Sequence, residues 1–337
     1  MTVIEQDITE DYALYNGDSA EILKSIPGES VHYEVYSPPF ASLYTYSNSE
    51  RDLGNCRTRG EFFEQYAYIV SELYRVLKPG RLMSVHCMDI PAMKERDGYI
   101  GLTDFPGELI KLFQDTGFIY HSRVVIWKDP LIEATRTKAL GLMHKQIEKD
   151  SAMCRQGLPD YLITMRKPGS NDEPIAHPDG FTEFIGENEP IAPKKKALLK
   201  SQLAINDHHS QIQKEDPIYS HQVWRRYASP VWMDINQSRT LNKEGAREEK
   251  DERHIAPLQL DVVERAIELW SNPSDIVLTP FMGIGSEAYV AILKGRYAIG
   301  VELKSSYYEQ AVLNCTAALA EREAAKSPTL FDLAEDV

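Results

Sequence analysis

Cysteine is scarce in this sequence of 337 residues, and its four copies (Cys56, Cys87, Cys154 and Cys315) lie far apart without a CxxC pair. That spacing argues against a zinc ribbon and a disulfide framework, so we predict no metal site and a reducing, cytoplasmic location. No stretch approaches the roughly 18 consecutive apolar residues that a membrane helix needs. The acidic N-terminus lacks an apolar segment, so we do not expect it to be a secretory signal.

Positive charge is also in deficit. The chain has 37 Lys and Arg residues against 51 Asp and Glu residues, which gives a formal net charge of −14. This balance disfavours a passive nucleic-acid coat protein, but it does not exclude an enzyme with one basic face, because the local field matters more than the total. Residues 191–250 form such a basic stretch, with 11 Lys or Arg against 7 Asp or Glu.

Hydrophobic patterning predicts two α/β blocks around an irregular, polar middle. Strand-like runs at Val31–Tyr36, Leu82–His86 and Ile119–Trp127 alternate with helical spacing at Glu61–Leu77 and Phe105–Phe113. Such alternation is typical of a mostly parallel sheet with helices on both faces, a Rossmann-like α/β fold. We predict the divisions 1–166, 167–250, 251–320 and an acidic tail at 321–337.

The strongest local signal is DIVLTPFMGIGSEAYVAILKGRYAIGVEL, residues 275–303. It predicts a strand, a glycine loop, a helix and a second strand that ends at Glu302. Gly283 and Gly285 would let the backbone approach a ligand, and Glu302 lies where an acid binds the ribose of a nucleoside cofactor. A structural turn, or the NAD site of an oxidoreductase, would fit the same spacing.

The second signal is VYSPPF, residues 35–40, at the predicted end of a strand. Two prolines fix the backbone direction there, while Ser37 offers a hydroxyl and Phe40 an aromatic face. A proline turn beside a core phenylalanine is the simpler interpretation of this motif taken alone.

Taken together and in this order, the two motifs resemble the SAM-dependent amino-methyltransferases of DNA (SAM is S-adenosyl-L-methionine). SPPF is similar to the catalytic SPPY/DPPY motif of that family, TPFMGIGS to its DPFxGSGT loop and GVELKSSYYEQA to its GxExxxxYxxxA. YNGDSAEILKSIPGESVHYEVYSPPF, RVLKPGRLMSV and VVIWKD also match family patterns. The resemblance is to the permuted (beta) class, phage and prophage methylases among them, and implies a class I SAM methyltransferase fold.

The resemblance assigns a cofactor-binding role to residues at three places in the chain. It implies that Gly283 and Gly285 face the methionine part of SAM, that Glu302 holds the ribose and that Asp18 bonds the adenine amino group. A helix cap is the alternative role for Asp18. The remaining predicted cofactor residues are Thr279, Pro280, Phe281 and Ser286.

The resemblance places the target base at Ser37, Pro38, Pro39 and Phe40. Acceptors from Ser37 and the Pro38 carbonyl would draw the exocyclic amine toward sp³ geometry for direct, in-line methyl transfer to a flipped-out base, with Phe40 stacking on that base. Trp127 would wall the pocket or belong to the core. Carbon-5 methylation is rejected, because its cysteine lies in a Pro-Cys pair and this chain has none.

The choice of base stays open at this point, although serine before the two prolines favours N4 of cytosine over N6 of adenine. Thr279 departs from the family pattern, which usually has Asp there, and Glu287 could replace that charge. This departure also keeps open a catalytically weak DNA-binding relative. A restriction-modification role fits the resemblance.

We predict that residues 167–250 recognise double-stranded DNA. The candidate contacts are Lys194, Lys195, Trp224, Arg225 and Arg226, because arginine reads guanine edges or grips phosphate and an aromatic ring can wedge a base step. In the tail, Leu330-Phe331 loosely resembles peptides that bind the bacterial sliding clamp. We favour docking of this pair on the enzyme's own sheet or on a second subunit, so a homodimer and a partner protein both remain open.

Overall fold

The structure is a computed structural model. It describes residues 3–40, 52–56, 58–92, 94–130, 133, 148–153, 155–187, 219–242 and 257–326. Its strands are β1 (Val3–Ile8), β2 (Tyr12–Gly17), β3 (Val31–Tyr36), β4 (Leu77–Cys87), β5 (Ile90–Ala92), β6 (Gly101–Thr103), β7 (Ile119–Ile126), β8 (Asp160–Arg166), β9 (Val231–Trp232), β10 (Ile276–Thr279) and β11 (Tyr297–Glu302).

Eight α-helices accompany these strands in the described part of the chain. They are α1 (Ser19–Ile22), α2 (Arg59–Val76), α3 (Lys94–Asp97), α4 (Phe105–Thr116), α5 (Tyr219–Tyr227), α6 (Leu260–Trp270), α7 (Ser286–Leu293) and α8 (Ser305–Lys326). None of the described helices is long and apolar enough to cross a membrane.

Nine strands form one sheet in the order β1-β2-β11-β10-β3-β4-β8-β7-β9. The central strands β2, β11, β10, β3 and β4 run parallel, and β7 pairs in parallel with β9. The pairs β1-β2, β4-β8 and β8-β7 are antiparallel. The prediction of a mostly parallel, Rossmann-like sheet is therefore confirmed.

Helix boundaries follow from capping residues that the sequence supplies. The Thr58 hydroxyl accepts the N–H of Glu61 at 3.1 Å and begins α2, and the Asp104 carboxylate accepts the N–H of Gly107 at 2.8 Å and begins α4. Gly117, with φ of 115°, ends α4 in the left-handed conformation that glycine adopts readily. These caps fix where the helices meet the sheet.

The sheet buries a separate apolar core on each face, as alternating side chains along a strand require. On one face, Tyr33 and Val35 of β3 pack with α6, α7 and α8. On the other face, Tyr36 packs with α2 and α4. Strand β3 is thus covered on both sides, and the segment that follows it emerges between the two helix layers.

The middle of the chain is less irregular than predicted where the structure describes it. Arg265 of α6 is fully buried and donates to the carbonyl oxygen of Ile185, with Nε at 2.7 Å. It also lies 2.9 Å from the Asp234 carboxylate, which follows β9. The described segments 167–187 and 219–242 are therefore attached to the sheet and α6, while the domain divisions themselves stay a prediction.

The C-terminal helix is longer than predicted. Helix α8 continues to Lys326, so residues 321–326 are helical and the tail begins after them. Arg322 anchors this last part through an ion pair of 2.8 Å to Asp11. The prediction for Leu330 and Phe331 concerns residues outside the described part of the chain.

Candidate functional site

A pocket lies at the carboxyl-terminal edge of the sheet, where β3, β10 and β11 end and α1 begins. Ligands of open α/β sheets bind at this edge. We call it the carboxyl-edge pocket. Ten of the predicted catalytic and cofactor residues line it: Asp18, Ser37, Pro38, Pro39, Phe40, Pro280, Phe281, Gly283, Ser286 and Glu302.

Glu302 is held in place by the backbone around it. Its carboxylate accepts the N–H of Gly283 at 2.8 Å and the N–H of Lys304 at 2.8 Å. Burial raises the pKa of Glu302 to about 7, although these bonds act in the opposite direction. The buried Asn16 side chain donates to the Glu302 carbonyl oxygen at 2.8 Å and ties β2 to the end of β11.

The two loop glycines have different roles in the structure. Gly283 has φ of 55° and lines the pocket, and an added Cβ there would meet nothing within 4 Å. Gly285 has φ of 93°, and an added Cβ would lie 3.1 Å from the Cβ of Ala311 in α8. Gly283 therefore leaves room on the pocket side, while Gly285 permits close packing of two helices and is not among the pocket-lining residues.

Thr279, predicted to touch the cofactor, is not among the pocket-lining residues either. It is 1% exposed at the end of β10, and its hydroxyl has no hydrogen-bond partner in the described part of the chain. Its neighbours do reach the pocket: the Pro280 carbonyl accepts a hydrogen bond from Ser19, and the Phe281 ring lies 5.8 Å from that of Tyr36. The Thr279 side chain is therefore buried inside the loop and does not line the pocket.

Asp18 stands at the pocket edge as the N-cap of α1. Its Oδ1 accepts the N–H of Ala20 at 2.9 Å. The structure therefore contains the helix cap that the sequence offered as an alternative. The same residue lines the pocket, so the cap and a ligand contact are compatible.

Ser37 lies next to a buried histidine and aspartate that sequence reasoning missed. Its Oγ is 3.4 Å from Nδ1 of His86 and 3.2 Å from the His86 carbonyl oxygen. Nε2 of His86 lies 3.3 Å from Oδ2 of Asp160, and Nζ of Lys128 lies 2.5 Å from Oδ1. These residues end β4, begin β8 and follow β7, so three strand ends converge behind the serine.

The charge state of Asp160 follows from its partners. Burial alone would raise its pKa, but Lys128 and His86 together outweigh burial and lower the pKa below its ordinary value. Asp160 is therefore an anion at neutral pH. An anion at Nε2 favours the tautomer with a proton on Nε2, which leaves Nδ1 as an acceptor facing Ser37.

Phe40 lies against an aromatic layer on the α2–α4 side of the sheet. Its ring centroid is 6.1 Å from that of Phe105, which in turn lies 5.9 Å from both Phe62 and Phe63. Because Phe40 also lines the pocket, it offers an apolar surface supported from behind. Trp127, by contrast, is not among the pocket-lining residues and donates its backbone N–H to the Trp232 carbonyl at 3.0 Å.

Two further acids line the pocket, and the sequence had pointed to only one of them. Asp52 lines it and accepts the N–H of Gly54 at 2.8 Å in the 3₁₀ turn Leu53–Asn55. Glu287, in the first turn of α7, lines it as well. The sequence offered Glu287 as a replacement for the missing acid of the glycine loop, whereas Asp52 lies in a polar segment that carries no such signal.

The predicted DNA contacts divide into three groups. Trp224, with 54% of its surface exposed, and Arg225 are exposed on α5. Arg226 points inward: its guanidinium lies 3.2 Å from Asp234 and 4.0 Å from the Phe184 ring centroid. This corrects the prediction for Arg226, whose side chain is used within the fold. Lys194 and Lys195 lie outside the described residues.

Comparison with known proteins gives a family match and several relatives. A family model described as DNA methylase, of the N6/N4 methyltransferases, matches residues 31–313. Type II methyltransferase M.BglII of Bacillus subtilis is 24% identical over 298 residues, covering 88% of this chain and 66% of M.BglII, just under two thirds. DNA adenine methyltransferase YhdJ of Escherichia coli (strain K12) is 26% identical over 298 residues, covering 88% and 80%.

Two solved structures share the fold over most of the chain. TTHA0409 from Thermus thermophilus, complexed with S-adenosyl-L-methionine, has a TM-score of 0.57 and 20% identity, covering 92% of this chain and 96% of that one. PvuII DNA methyltransferase (cytosine-N4-specific) has a TM-score of 0.56 and 16% identity, covering 95% and 96%.

Proposed function

The chain belongs to the N6/N4 DNA methylase family, and from that premise we propose that it transfers a methyl group from SAM to N4 of cytosine in DNA. The observation that carries this proposal is the shared pocket. Ser37 of SPPF and Glu302 of the cofactor half come from opposite halves of the chain, and both line the carboxyl-edge pocket. Serine at position 37 favours cytosine over adenine.

The residues of the pocket fit SAM. Glu302 presents a carboxylate that its backbone donors fix in place, as an acceptor for ribose hydroxyls must be. Gly283 leaves space where a side chain would project. The pocket is rich in acids, which suits a cofactor with two cationic groups. When bound, SAM supplies a sulfonium methyl group as the electrophile.

Ser37 and Pro38 would prepare the base amine. The amine lone pair is delocalised into the ring, so acceptors on its two hydrogens must draw it toward sp³ geometry. If the Ser37 hydroxyl donates to His86, at either the carbonyl or Nδ1, the serine oxygen keeps its lone pairs for the amine. The interaction strengthens as positive charge develops on nitrogen, so it lowers the barrier rather than only binding the substrate.

The methylated amine then has to lose a proton. Ser37 can accept this proton while it passes its own to Nδ1 of His86, and the Asp160 anion stabilises the resulting imidazolium. The N–C bond forms as the C–S bond breaks, and the proton leaves through His86 to solvent. His86 and Asp160 act here through Ser37 and are positioning residues.

DNA would reach the pocket with its target base rotated out of the helix. The amine of a paired base is inaccessible inside a duplex. Phe40, supported by Phe105, offers a surface on which the extruded base can stack. We further propose that the region 167–250 recognises the DNA sequence, with Trp224 and Arg225 as its exposed candidates on α5.

Sequencing of DNA modified in a methylation-free host tests this function. We expect N4-methylcytosine at one defined sequence with the wild type and none with Ser37→Ala. N6-methyladenine at a defined sequence would show that the target base is adenine and not cytosine. The absence of both, with no labelled methyl transfer from SAM in vitro, would favour a weak DNA-binding relative, and binding of NAD instead of SAM would favour an oxidoreductase.

A further inference from the structure

Glu287 has an unusual environment in the wall of the carboxyl-edge pocket. It is the second residue of α7 and only 4% exposed. Apart from its own backbone N–H, no group in the described part of the chain bonds or pairs with its carboxyl group. A carboxyl group buried in this way is costly in its ionised form unless a cation reaches it. Burial accordingly raises the pKa of Glu287 to about 8.

The other acids of the pocket have local partners. Asp18 and Asp52 each accept a backbone N–H from their own turn, and Glu302 accepts two. Among the described lining residues, Lys304 is the one lysine or arginine, and its Nζ lies 4.5 Å from the centroid of the Tyr307 ring. Within the described residues, no cation and no donor other than its own backbone N–H reaches the carboxyl group of Glu287.

We propose that Glu287 binds the α-ammonium group of SAM, an inference that rests on the proposed function. An ammonium group donates charge-assisted hydrogen bonds to a carboxylate, whereas the sulfonium carries no donor. Thr279 cannot serve instead, because its side chain is buried outside the pocket lining. The acid that the family usually carries at the first position of the loop is, in this chain, supplied by the first turn of the following helix.

Calorimetry with two ligands and two proteins tests the assignment. The ligands are S-adenosyl-L-homocysteine (SAH) and its analogue with hydrogen in place of the α-amino group. We expect wild type to bind SAH at least about tenfold more tightly than the analogue. The affinity of Glu287→Gln for SAH should be lower than that of wild type by about the same factor, while its affinity for the analogue should stay within about twofold of the wild-type value.

Glu34→Gln is the matched control. Glu34 is fully buried in β3, its carboxyl oxygens have no hydrogen-bond partner in the described part of the chain, and it does not line the pocket. Replacing its carboxyl group by an amide should leave both affinities unchanged. Because the comparison of the two ligands on wild type needs no variant, the proposal can fail even if Glu287→Gln does not fold.

Several outcomes would overturn the assignment. Equal binding of SAH and the analogue by wild type would exclude an ammonium contact of consequence. If Glu287→Gln binds both SAM and SAH with wild-type affinity, Glu287 does not contact the ammonium group. If it loses affinity for SAM but not for SAH, Glu287 interacts with the sulfonium instead. If wild type methylates DNA in either case, the proposed function stands, whereas failure of wild type to bind SAM would refute that function itself.

Discussion

Ser37 has two acceptors within reach, and both belong to His86. A hydroxyl that donates to Nδ1 at 3.4 Å or to the carbonyl at 3.2 Å presents its lone pairs to the pocket in either case. In the proposed mechanism the base amine needs an acceptor at this point, and the histidine would fix the polarity of the serine before the substrate arrives. This preorganisation is worth more in the transition state than in the ground state.

Ser37→Ala tests that role. We expect kcat to fall by at least about 100-fold, because the acceptor lost is the one that strengthens as the amine rehybridises. The Kd values for SAM and DNA should stay within about threefold of wild type, as measured by calorimetry and by fluorescence anisotropy. A kcat within about threefold of wild type, a difference under ~1 kcal/mol, would show that Ser37 does not act in the transition state.

Asp160→Asn tests the route of the proton. The amide keeps the shape of the carboxylate but not its charge, so the imidazolium of His86 is no longer stabilised and kcat should fall by about tenfold or more. The loss should be partly recovered as pH rises, because solvent hydroxide can take the proton instead. The pH profile of kcat in single-turnover experiments measures this.

A purely structural role for Asp160 predicts a different result. The Asp160→Asn substitution would then change thermal stability and SAM affinity but leave the shape of the pH profile unaltered. Lys128→Met is the companion variant, since it removes the competing cation and keeps the anion. It should therefore lower kcat less than Asp160→Asn does, because the anion that stabilises the imidazolium is still present.

Sequence motifs predicted only one part of this residue network. Ser37 and Glu302 lie in contiguous patterns whose spacing reflects contact with a single ligand. His86, Lys128 and Asp160 come from three different strand ends, and their proximity depends on β8 lying antiparallel between β4 and β7. No local spacing encodes that pairing, so the sequence alone could not bring them together.

At the scale of elements, strands with a clear hydrophobic run, such as β3 and β7, were predicted from the sequence, whereas the polar edge strand β1 was not. Val31–Tyr36 (VHYEVY) has apolar or aromatic residues at four of its six positions and is covered on both faces, and it was predicted with its observed bounds. Strand β1 has four exposed residues at its centre and end, so its sequence, VIEQDI, carries little hydrophobic signal. Its place is decided by pairing with β2, which is a tertiary effect.

Helix α5 separates two arginines that look equivalent in the sequence. Val223 and Tyr227, four residues apart, are its buried face, and Arg226 is turned inward toward Asp234. Arg225 and Trp224 are exposed on the opposite side. A double replacement of both arginines would therefore combine a surface effect with a packing effect.

Single replacements separate the two effects. Arg225→Ala should weaken DNA binding and leave thermal stability and SAM binding unchanged. The slope of the logarithm of the DNA association constant against the logarithm of the salt concentration should become shallower by about one. Fluorescence anisotropy across a salt series measures this. Unchanged DNA affinity at low salt would place the recognition surface elsewhere.

Arg226→Ala is the matched control on the same helix. It removes one partner of a buried carboxylate that Arg265 still contacts at 2.9 Å, so we expect a loss of about 2 kcal/mol in the free energy of unfolding. DNA affinity measured on folded protein should change little. A large, salt-dependent loss of DNA affinity without loss of stability would show that Arg226 leaves its ion pair to bind DNA.

At the scale of the whole molecule, the sheet order brings the ends of the sequence together. Strands β10 and β11, near the C-terminus, lie between β2 and β3, near the N-terminus. The SPPF segment and the glycine loop therefore leave adjacent strands at the same edge, although the target half precedes the cofactor half in the chain. Motif order alone predicted the permuted arrangement of the two halves, whereas the place of Asp52 among the pocket acids became visible only in the fold.

Two buried acids, Glu34 and Glu287, and the half-buried Glu302 make the stability of the ligand-free protein depend on pH. Burial raises the pKa of Glu34 well above its ordinary value, that of Glu287 to about 8 and that of Glu302 to about 7. Between the pKa of an unfolded glutamate and these values, the folded state binds more protons than the unfolded state. Stability is therefore fully present at low pH and is lost as pH rises through the folded pKa values.

Other groups act in different pH ranges. Burial lowers the pKa of His32 and His121, so their contribution to stability is lost as pH falls below their ordinary value of 6.5. The lowered pKa of Asp160 matters only below its ordinary 3.8. The acids should consequently dominate the change in stability on the alkaline side of neutrality.

Denaturant unfolding of wild type and of a Glu34→Gln, Glu287→Gln double variant isolates this contribution. Between about pH 6.5 and about pH 8.5, wild type should lose more free energy of unfolding than the variant, by on the order of 1.4 kcal/mol for each acid and pH unit in which its folded form still holds the proton. The histidines are common to both proteins and cancel in the difference. A difference that stays constant across this range would mean that both carboxyl groups are already ionised in the folded protein, and the unpaired state of Glu287 would then be wrong.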